Sequence, residues 1–500
     1  MLDTTSIQMP EDKVFIAGEW RRGRGSEIVS IFPADRSVNA VLRGASRQDV
    51  EEAIDRAQQA AFDPAWRGLR PHQRAVFLHR IADGIASHAE HIATVQSRDT
   101  GKTLSETRAL AASAAATFRY YAAVLETEEE TITPSRGDYL TMSVHEPIGV
   151  VAGITPWNSP IASDAQKLAP ALAAGNAVLL KPASWSPLVS LILGRIVEEA
   201  GLPKGLLSIV PGRGDEVGDT LVTHPAIGKV SFTGGTETGR TIAQKAAAKL
   251  MPVSLELGGK SPTIVFADAD IQQAVAGILY GIFSSSGQSC IAGSRLLVQR
   301  QIYDDFISRL VEGAKDLKVG HPFDSLTQVA PLIRDPHRDS VRQAVELAKV
   351  QGSQILYGGG EPQGDEYQKG IYYLPTIVAG MSRTSSIWND EVFGPVLCVL
   401  PFHDEADAIS LGNDTAYGLA CGIWTSDFNR AWRVGRAISA GTIWINTYKQ
   451  FSISTPFGGI KDSGLGREKG RQGLRAWMSQ KSLYVDTSER PYPWARLSQQ

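Results

Sequence analysis

The chain has 500 residues, 21% of them charged and 43% hydrophobic, with a net charge of −3 at pH 7. This length predicts two to four folding units, and the near-neutral charge argues against partners that bind through a long-range field, such as nucleic acid or an acidic membrane. There are three cysteines, the N-terminal segment lacks the apolar region of a signal peptide, and no apolar run reaches the roughly 18 residues of a membrane span, so we expect a cytoplasmic protein.

The N-terminal part is predicted to be mainly helical after a short β-unit. Residues 13–31 form this unit, because two apolar segments flank the turn residues "RRGRGS". Apolar residues at three- and four-residue intervals predict a helix from Ser46 and further helices over 71–100 and 102–125. Residues 126–146 break this rhythm with alternating β-type residues, which indicates an excursion, such as a hairpin, away from the main body.

Strands alternate with helices from residue 149 to residue 259. The predicted strands are "GVVAGITP", "NAVLLKP", "LLSIVPG", "GKVSFTGG" and "PVSLELGG", with helices over 160–175, 186–201, 214–223 and 236–250 between them. This alternation predicts a parallel, doubly wound sheet, in which ligands bind at the carboxyl ends of the strands. A second α/β pattern runs from 262 to 446, and "KSLYVDT" is a separate late strand.

Polar and glycine-rich segments follow the strands of the first pattern. They are "PWN" (156–158), "KPAS" (181–184), "FTGGTETG" (232–239) and "LELGG" (255–259). Glycines before a helix let backbone N–H groups approach a pyrophosphate, although a tight strand-to-helix turn has the same composition. Lys181 is either a cation at a cofactor crevice or a solvated strand end, and its position in the sequence favours neither interpretation.

Three further polar residues are candidates for chemistry. Glu256 lies on an otherwise apolar strand, where burial would raise its pKa and suit it to act as a base, or where it would form a buried ion pair. The Asn158 amide could donate to an oxyanion, or it could favour the turn beside a proline. Glu391 could bind a sugar hydroxyl or cap a helix.

The segment "GQSCIAGS", residues 287–294, surrounds Cys290 with small residues. A nucleophilic thiol needs room for attack and either a depressed pKa or a nearby base. No histidine occurs between residues 225 and 320, so the neighbourhood offers no local Cys–His pair. Cys398 and Cys421 lie within apolar strands, where buried, unreactive thiols are expected. Cys290 is therefore the candidate nucleophile.

Seven segments, taken in order, resemble the aldehyde dehydrogenase superfamily over nearly the whole chain. They are "PWN", "KPAS", "FTGGTETG", "LELGGKSP", "GQSCIAGSR", "EVFGPV" and "PFGGIKDSGLGRE". The resemblance implies an enzyme without a metal that oxidises a small aldehyde to a carboxylic acid with NAD or NADP. It further implies an α/β fold with a Rossmann-like doubly wound cofactor domain (1–125 and 148–257), an α/β catalytic domain (258–465) and a small β oligomerisation arm (126–147 and 466–500) that joins a homodimer or homotetramer.

The resemblance also assigns roles to individual residues. Cys290 would attack the aldehyde carbonyl, and the Asn158 amide and the Cys290 backbone N–H would hold the resulting oxyanion. Glu256 would activate the water that hydrolyses the thioester, and Lys167 would lie near a proton pathway. The residues implied to contact the cofactor are Thr155, Pro156, Trp157, Lys181, Ser184, Thr233, Gly234, Gly235, Thr236, Glu237, Thr238, Gly239, Leu257, Glu391 and Phe393.

This chain departs from the family pattern at two places. Many NAD-preferring relatives carry a glutamate where this chain has Ser184; serine removes a repulsion and can donate to a 2′-phosphate, so we expect NADP to be tolerated or preferred. "PWNSP" replaces "PWNFP", and Ser159 and Ser163 follow on the next helix. We therefore expect a polar pocket for polar or ω-substituted aldehydes, with Tyr448 and Phe457 as its aromatic wall.

Three alternatives compete with this interpretation. A CoA-acylating relative would pass the thioester to CoA, which needs no base such as Glu256. A phosphorylating dehydrogenase or a semialdehyde reductase usually relies on a histidine, which this neighbourhood lacks. A catalytically silent structural protein on the same scaffold is disfavoured by the joint presence of Cys290, Glu256 and Asn158.

Overall fold

Strands and helices alternate along most of the chain, and the computed structural model describes them for residues 8–488 and residue 494. The strands in this part are β1 (Val14–Ile16), β2 (Glu19–Arg21), β3 (Glu27–Ile31), β4 (Val38–Arg43), β5 (Thr131–Thr133), β6 (Tyr139–Pro147), β7 (Val150–Ile154), β8 (Ala177–Lys181), β9 (Leu207–Ile209), β10 (Lys229–Thr233), β11 (Val253–Glu256), β12 (Pro262–Val265), β13 (Arg295–Gln299), β14 (Gln354–Tyr357), β15 (Thr376–Ala379), β16 (Val396–Phe402), β17 (Tyr417–Gly418), β18 (Ala420–Trp424), β19 (Thr442–Ile445), β20 (Ile460–Lys461), β21 (Gly464–Leu465) and β22 (Met478–Asp486). The α-helices are α1 (Arg47–Phe62), α2 (Pro64–Arg67), α3 (Pro71–Ser87), α4 (Ala89–Thr100), α5 (Leu104–Glu126), α6 (Pro160–Ala173), α7 (Leu188–Glu199), α8 (Asp219–Thr223), α9 (Thr236–Ala247), α10 (Ile271–Phe283), α11 (Tyr303–Lys315), α12 (Asp335–Val350), α13 (Asp365–Gln368), α14 (Ser386–Asn389), α15 (Glu405–Asn413), α16 (Phe428–Ala437) and α17 (Gly470–Arg475).

Eight strands form the first sheet, in the spatial order β2-β1-β9-β8-β7-β10-β11-β21. The central strands from β9 to β11 run parallel to one another, and antiparallel strands close both edges. The register places Ile154 opposite Lys181 and Thr233 opposite Glu256. The carboxyl ends of β7, β8, β10 and β11 therefore lie along one edge of the sheet.

Helices cover this first sheet, which explains its apolar composition. Every residue of β7 and β8 is buried, as expected for parallel strands with helices on their faces. Helix α1 begins at a capping box in which Ser46 accepts from the Asp49 N–H and Asp49 accepts from the Ser46 N–H. Helix α5 begins with the same arrangement at Thr103 and Glu106, and it packs against α3 and α6.

The second sheet has seven strands in the order β14-β15-β16-β13-β12-β18-β19. All neighbours are parallel except β14, which pairs antiparallel with β15. Buried apolar side chains such as Phe266, Leu297 and Val399 pack on this sheet. The connection from α10 to β13 carries Cys290, so this sheet positions the candidate nucleophile.

A small antiparallel sheet is formed by β5, β6 and β22. The hairpin of β5 and β6 corresponds to the excursion predicted over 126–146, and β22 is the late strand, which pairs with the whole length of β6. After Met478 every residue of β22 is exposed. The sheet therefore has little core of its own.

The α/β class and the doubly wound sheet predicted from the sequence are confirmed. The range 71–100 is helical as predicted, but it is divided in two, because the backbone leaves helical geometry at His88 (φ −103°, ψ 14°), which separates α3 from α4. The division into three units remains a prediction, and its residues 1–7, 489–493 and 495–500 lie outside the described residues. No helix of the described part combines the length and apolar character needed to cross a membrane.

Candidate active site

Cys290 lies on a strained connection between α10 and β13. A short 3-10 turn, Ser284–Gly287, precedes it, and within this turn Ser285 and Ser286 have φ values of 57° and 54°. Two successive non-glycine residues in the left-handed region cost of order 1–3 kcal/mol each and persist only where the surroundings hold them. Such strain is concentrated at functional sites, which agrees with a role for the half-buried Cys290.

Four hydrogen bonds hold this connection in place. Glu106 Oε1 accepts from the Ser285 N–H (2.6 Å) and from the Ser285 hydroxyl (2.9 Å). The Ser286 hydroxyl donates to a backbone carbonyl 2.6 Å away, and Gln288 Oε1 accepts from the Ile333 N–H at 3.0 Å. These contacts come from segments far away in sequence, so the tertiary structure fixes the position of Cys290.

The Asn158 amide is joined directly to the Cys290 connection. It lies in the loop after β7, and its Nδ2 donates to the carbonyl of Gln288 at 2.9 Å. An amide nitrogen carries two N–H donors, and this contact uses one of them. The tertiary structure thus joins two segments that are 130 positions apart in the sequence.

Glu256 ends β11 with a deeply buried carboxyl group. The residue is 4% exposed, and among the described residues neither carboxyl oxygen has a hydrogen-bond partner. Burial raises the pKa of this carboxyl well above its ordinary value, and the nearby negative charge of Glu468 raises it further. A carboxyl group in this environment binds a proton more tightly than an ordinary glutamate, so its carboxylate is a stronger base.

A buried polar cluster behind Glu256 includes Lys167 and a residue that the sequence reasoning missed. Lys167 Nζ donates to Glu468 Oε1 (2.6 Å) and to Ser231 Oγ (2.9 Å), and the Ser231 hydroxyl also donates to Glu468 (2.9 Å). Glu468 is the last residue of "PFGGIKDSGLGRE", so the motif contained it, but only its pairing with Lys167 indicates a role. Both groups influence the charge state of Glu256.

The Cys290 thiol is not intrinsically acidic in this environment. Burial raises its pKa to about 12, and the carboxyl groups of Glu391 and Glu256 add to the effect. The thiol is therefore protonated near neutral pH, and a base must remove its proton before attack. The sequence near Cys290 contains no histidine for this role, and the neighbouring Glu256 is a group that can remove the thiol proton.

The start of α9 suits a pyrophosphate. The helix has 12 residues, and its N-cap Gly235 provides no side-chain hydrogen bond to the first N–H groups. A Cβ placed on Gly235 would have no heavy atom within 4 Å, so the helix end is open. Backbone donors and the positive end of the helix dipole face this space, as an anion requires.

Aromatic and acidic side chains form the other part of the candidate cofactor site. Glu391 Oε1 accepts from the Gly259 N–H at 3.0 Å, and burial raises its pKa to about 7. Trp157 and Phe393 pack edge to face with ring centroids 5.2 Å apart, and Phe393 has a φ of 54°. These residues meet beside the carboxyl ends of the parallel strands, where a dinucleotide would fit.

Lys181 and Ser184 follow β8 at the same edge. Lys181 is 6% exposed, and burial lowers its pKa to about 8. The Ser184 hydroxyl donates to the Gly212 carbonyl at 2.9 Å. In this conformation the Ser184 hydroxyl therefore donates its proton within the protein and not to a phosphate. The position still carries no carboxylate that would repel one.

The other residues predicted for the cofactor lie on the same loops and helix end. Thr155 is buried and donates to Asp164 at 2.7 Å, so its hydroxyl serves the protein interior. Leu257 packs so closely on Gly239 that a Cβ at this glycine would clash with the leucine side chain. The remaining members, Pro156, Thr233, Gly234, Thr236, Glu237 and Thr238, flank the ends of β7 and β10 and the first turn of α9.

Of the four residues predicted for the substrate pocket, two pack in the same cluster as Cys290. Ser159 and Ser163 are half-buried at the start of α6. Tyr448 and Phe457 belong to the apolar cluster that also contains Cys290. Asp164, on the same helix, faces the interior instead.

Comparisons with known proteins show the family of this chain. A family model described as the aldehyde dehydrogenase family matches residues 20–483. The betaine aldehyde dehydrogenase of Bacillus subtilis (strain 168) is 40% identical over 483 residues, which are 96% of this chain and 99% of that protein. A (Z)-2-((N-methylformamido)methylene)-5-hydroxybutyrolactone dehydrogenase of Acinetobacter baylyi is 40% identical over 97% of this chain and 98% of that protein.

Solved structures give the same result. A betaine aldehyde dehydrogenase from Staphylococcus aureus in complex with NAD+ has a TM-score of 0.95 and 36% identity, covering 97% of both chains. An aldehyde dehydrogenase described as putative, from Burkholderia cenocepacia, has a TM-score of 0.95 and 38% identity, covering 98% of this chain and 100% of its own. The chain therefore belongs to the aldehyde dehydrogenase family, and it is an oxidoreductase that acts on aldehydes with NAD(P).

Proposed function

We propose that this protein oxidises an aldehyde to a carboxylic acid through a covalent intermediate on Cys290, which water then hydrolyses. The observation that carries the proposal is the convergence of the Cys290 connection, the Asn158 amide and the buried Glu256 carboxyl beside an open helix end. A nucleophile, an oxyanion donor and a base are the groups that acyl chemistry on an aldehyde requires.

The first half of the reaction uses Cys290, Asn158 and Glu256. Glu256 takes the proton of the thiol, and Cys290 Sγ attacks the carbonyl carbon to form a thiohemiacetal. The second N–H of Asn158 and the Cys290 backbone N–H donate to the developing oxyanion. A bound dinucleotide supplies the hydride acceptor. Loss of hydride from the thiohemiacetal carbon leaves a thioester on Cys290.

The second half hydrolyses this thioester. Glu256 removes a proton from water, the hydroxide attacks the acyl carbon, and the carboxylic acid leaves as the thiol is restored. Lys167 and Glu468 form the polar route through which the proton on Glu256 moves away from the site. The base makes hydrolysis the favoured outcome over transfer to CoA, and a preparation that forms acyl-CoA when CoA is added would favour the alternative.

For the cofactor and the substrate we propose finer assignments. Ser184 leaves this position without a negative charge that would repel a 2′-phosphate, so NADP is tolerated or preferred. Ser159 and Ser163 give the pocket a polar side, which favours polar or ω-substituted aldehydes; the names of both relatives describe polar substrates. We propose a cytoplasmic homodimer or homotetramer, with the division into cofactor, catalytic and arm units given above.

Replacement of Cys290 tests the proposal. We expect Cys290→Ala to lower kcat by about 10³-fold or more with any aldehyde, because no other group can form the intermediate. Cys398→Ala is the matched control: Cys398 is fully buried and its Sγ contacts a backbone carbonyl away from the site, so activity should be retained. The measurement is the rate of NADH or NADPH formation. Full activity in Cys290→Ala would overturn the proposed mechanism.

A further inference from the structure

Two lysines that the proposed reaction does not use lie beside Cys290. Lys449 is on the loop after β19, and Lys469 directly precedes α17. Both are close enough for their charges to influence the Cys290 thiol. They approach it from different segments of the chain, so they form a pair only in the folded protein.

Lys469 lies over the aromatic side of the pocket. It is 9% exposed, and its Nζ is 3.9 Å from the ring centroid of Phe451 and 5.4 Å from that of Phe457. The two rings pack edge to face at 5.3 Å, and Phe457 packs in the same cluster as Cys290. The ammonium group is thus held at the aromatic wall by cation–π contacts.

Lys449 lies at the start of the Cys290 connection. Its Nζ donates to Ser284 Oγ at 2.7 Å and is 5.8 Å from the ring centroid of Tyr280. Ser284 opens the strained turn that leads to Cys290. The ammonium group therefore has a fixed place next to the nucleophile.

Neither ammonium group has an anionic partner within the described residues. No carboxylate oxygen of residues 8–488 lies within 4.0 Å of Lys449 Nζ or Lys469 Nζ. A buried charge without a partner is costly, so such groups are normally paired or bind a ligand. Burial lowers the pKa of Lys449 to about 7 and that of Lys469 to about 8, as expected for ammonium groups that lack a counter-ion.

Both lysines also have strained backbones. Lys449 has a φ of 56°, and Lys469 has a φ of 59° with a ψ of 173°, a region that glycine normally occupies. A non-glycine residue in such a conformation costs of order 1–3 kcal/mol and is concentrated at ligand-binding sites. The presence of a lysine at each position, where glycine would be unstrained, indicates that the side chain has a use.

The surrounding charges leave a positive excess. Lys449 faces Lys102 and Glu106, which contribute opposite charges. Lys469 faces Glu468, whose carboxylate is paired with Lys167, and Glu256, whose pKa is raised by burial. Among the described residues, these carboxylates act on the two lysines only from a distance, and none forms an ion pair with either ammonium group.

We propose that Lys449 and Lys469 form an anion subsite next to Cys290, and that the aldehyde this protein oxidises carries a carboxylate at the end distant from the aldehyde carbon. The assignment rests on the proposed function and names its substrate class. A cationic aldehyde is disfavoured at this place, because the Lys469 ammonium group already lies over the Phe451 and Phe457 rings and would repel a second positive charge.

Three aldehydes that differ in charge test the subsite: 4-oxobutanoate, its neutral methyl ester and the cationic betaine aldehyde. We expect kcat/KM to be about tenfold or more higher for 4-oxobutanoate than for the ester, and lowest for betaine aldehyde. Lys449→Met and Lys469→Met keep the apolar stem, and each should lower the ratio of anion to ester about tenfold, mainly through KM. Lys349→Met is the matched control, because Lys349 is an exposed lysine of α12 paired with Glu346, and the ratio should not change.

Alkylation of Cys290 provides a second measurement that needs no turnover. Iodoacetate and iodoacetamide are similar in size but differ in charge, so the ratio of their rates reports the local field. The ratio of the iodoacetate rate to the iodoacetamide rate should be higher for the protein than for a free thiol. Both lysine variants should lose this difference while keeping the melting temperature of the parent protein.

The outcomes separate the two proposals. If no aldehyde of the three is oxidised, the proposed function fails, while the alkylation ratio still decides whether the anion subsite exists. The anion subsite is wrong if kcat/KM for the ester or for betaine aldehyde equals that for 4-oxobutanoate. It is also wrong if iodoacetate alkylates Cys290 no faster, relative to iodoacetamide, than it alkylates a free thiol. In either case the proposed function stands.

Discussion

Glu256 shows how one buried carboxyl group can meet two demands. Its neutral form must be stable enough for the residue to remain buried in an apolar strand. Its carboxylate form must be basic enough to take a proton from a thiol or from water. Burial and the charge of Glu468 raise its pKa, while Lys167 lowers it. The balance between these two neighbours therefore sets the pH at which the group becomes a base.

The pH dependence of activity tests this balance. Because the carboxylate is the active form and its pKa is raised, activity should fall as the pH is lowered through that pKa, well above the ordinary range of a glutamate. Glu468→Gln removes a negative charge and should move this acid limb to lower pH. Lys167→Met removes a positive charge and should move it to higher pH. The measurement is kcat/KM as a function of pH. If the two variants move the acid limb in the same direction, or do not move it, the role of the cluster is contradicted.

Ser184 allows a direct test of cofactor preference. Ser184→Glu introduces a carboxylate that repels a 2′-phosphate, and we expect it to lower kcat/KM for NADP at least tenfold, about 1.4 kcal/mol. Ser184→Gln adds nearly the same volume without charge and serves as the control. An equal loss in both variants would mean that size, and not charge, governs the choice. Strict dependence of the parent protein on NAD would refute NADP tolerance.

At the scale of the elements, the connection from α10 to β13 carries the most strain near the site. Gly287 in this connection has a φ of 70°, and a Cβ on it would clash with the Gly394 carbonyl oxygen. The segment containing Glu391 and Phe393 thus packs directly against the connection that carries Cys290. The two halves of the candidate site are held together by backbone contact, which leaves no space for a side chain.

Gly287→Ala tests this contact, with Gly352→Ala as its control. Gly352 has a φ of 87°, and a Cβ on it would have no heavy atom within 4 Å, so its replacement should cost only about 1–2 kcal/mol of stability and leave kcat unchanged. Gly287→Ala adds a steric clash and should displace Cys290, lowering kcat about 10²-fold as well as stability. The melting temperatures and initial rates of the two variants are compared to test this expectation. Equal effects would show that the clash is relieved without moving the site.

At the scale of the whole molecule, the small sheet of β5, β6 and β22 buries little apolar surface of its own. It presents Ile132 at 70% exposure, Tyr484 at 71% and Val485 at 47%. Three exposed apolar side chains on one thin sheet are costly in water unless another surface covers them. A second copy of the chain is the partner expected from the predicted arm.

A charge on this sheet should therefore weaken self-association. We expect Ile132→Lys and Tyr484→Lys to shift sedimentation toward the monomer at micromolar concentration, because a buried lysine without a partner opposes an apolar interface. Leu326→Lys is the control, since Leu326 is also 71% exposed but lies elsewhere. An unchanged oligomer in the arm variants, or a parent chain that sediments as a monomer, would refute the assignment.

Much of the site could be predicted because it follows strand ends. In a parallel sheet the carboxyl ends of neighbouring strands share one edge, so "PWN", "KPAS" and "LELGG" had to meet once the alternation of strands and helices was recognised. Glu468 and the two lysines at the pocket follow no such strand and sit in loops, whose courses local patterns do not specify. The break at His88 was not predicted either, because apolar residues keep their helical spacing across it.

The order of elements, the α/β class and the choice of Cys290 as candidate nucleophile were determined by the amino-acid sequence alone, because side-chain periodicity and small-residue motifs are local properties. Only the tertiary structure decided which charges meet: Lys167 and Glu468 are 301 residues apart, yet their side chains are 2.6 Å from each other. The charge state of Glu256, the protonated thiol of Cys290 and the ammonium groups beside it depend on burial and distance. These quantities exist only once the chain has folded.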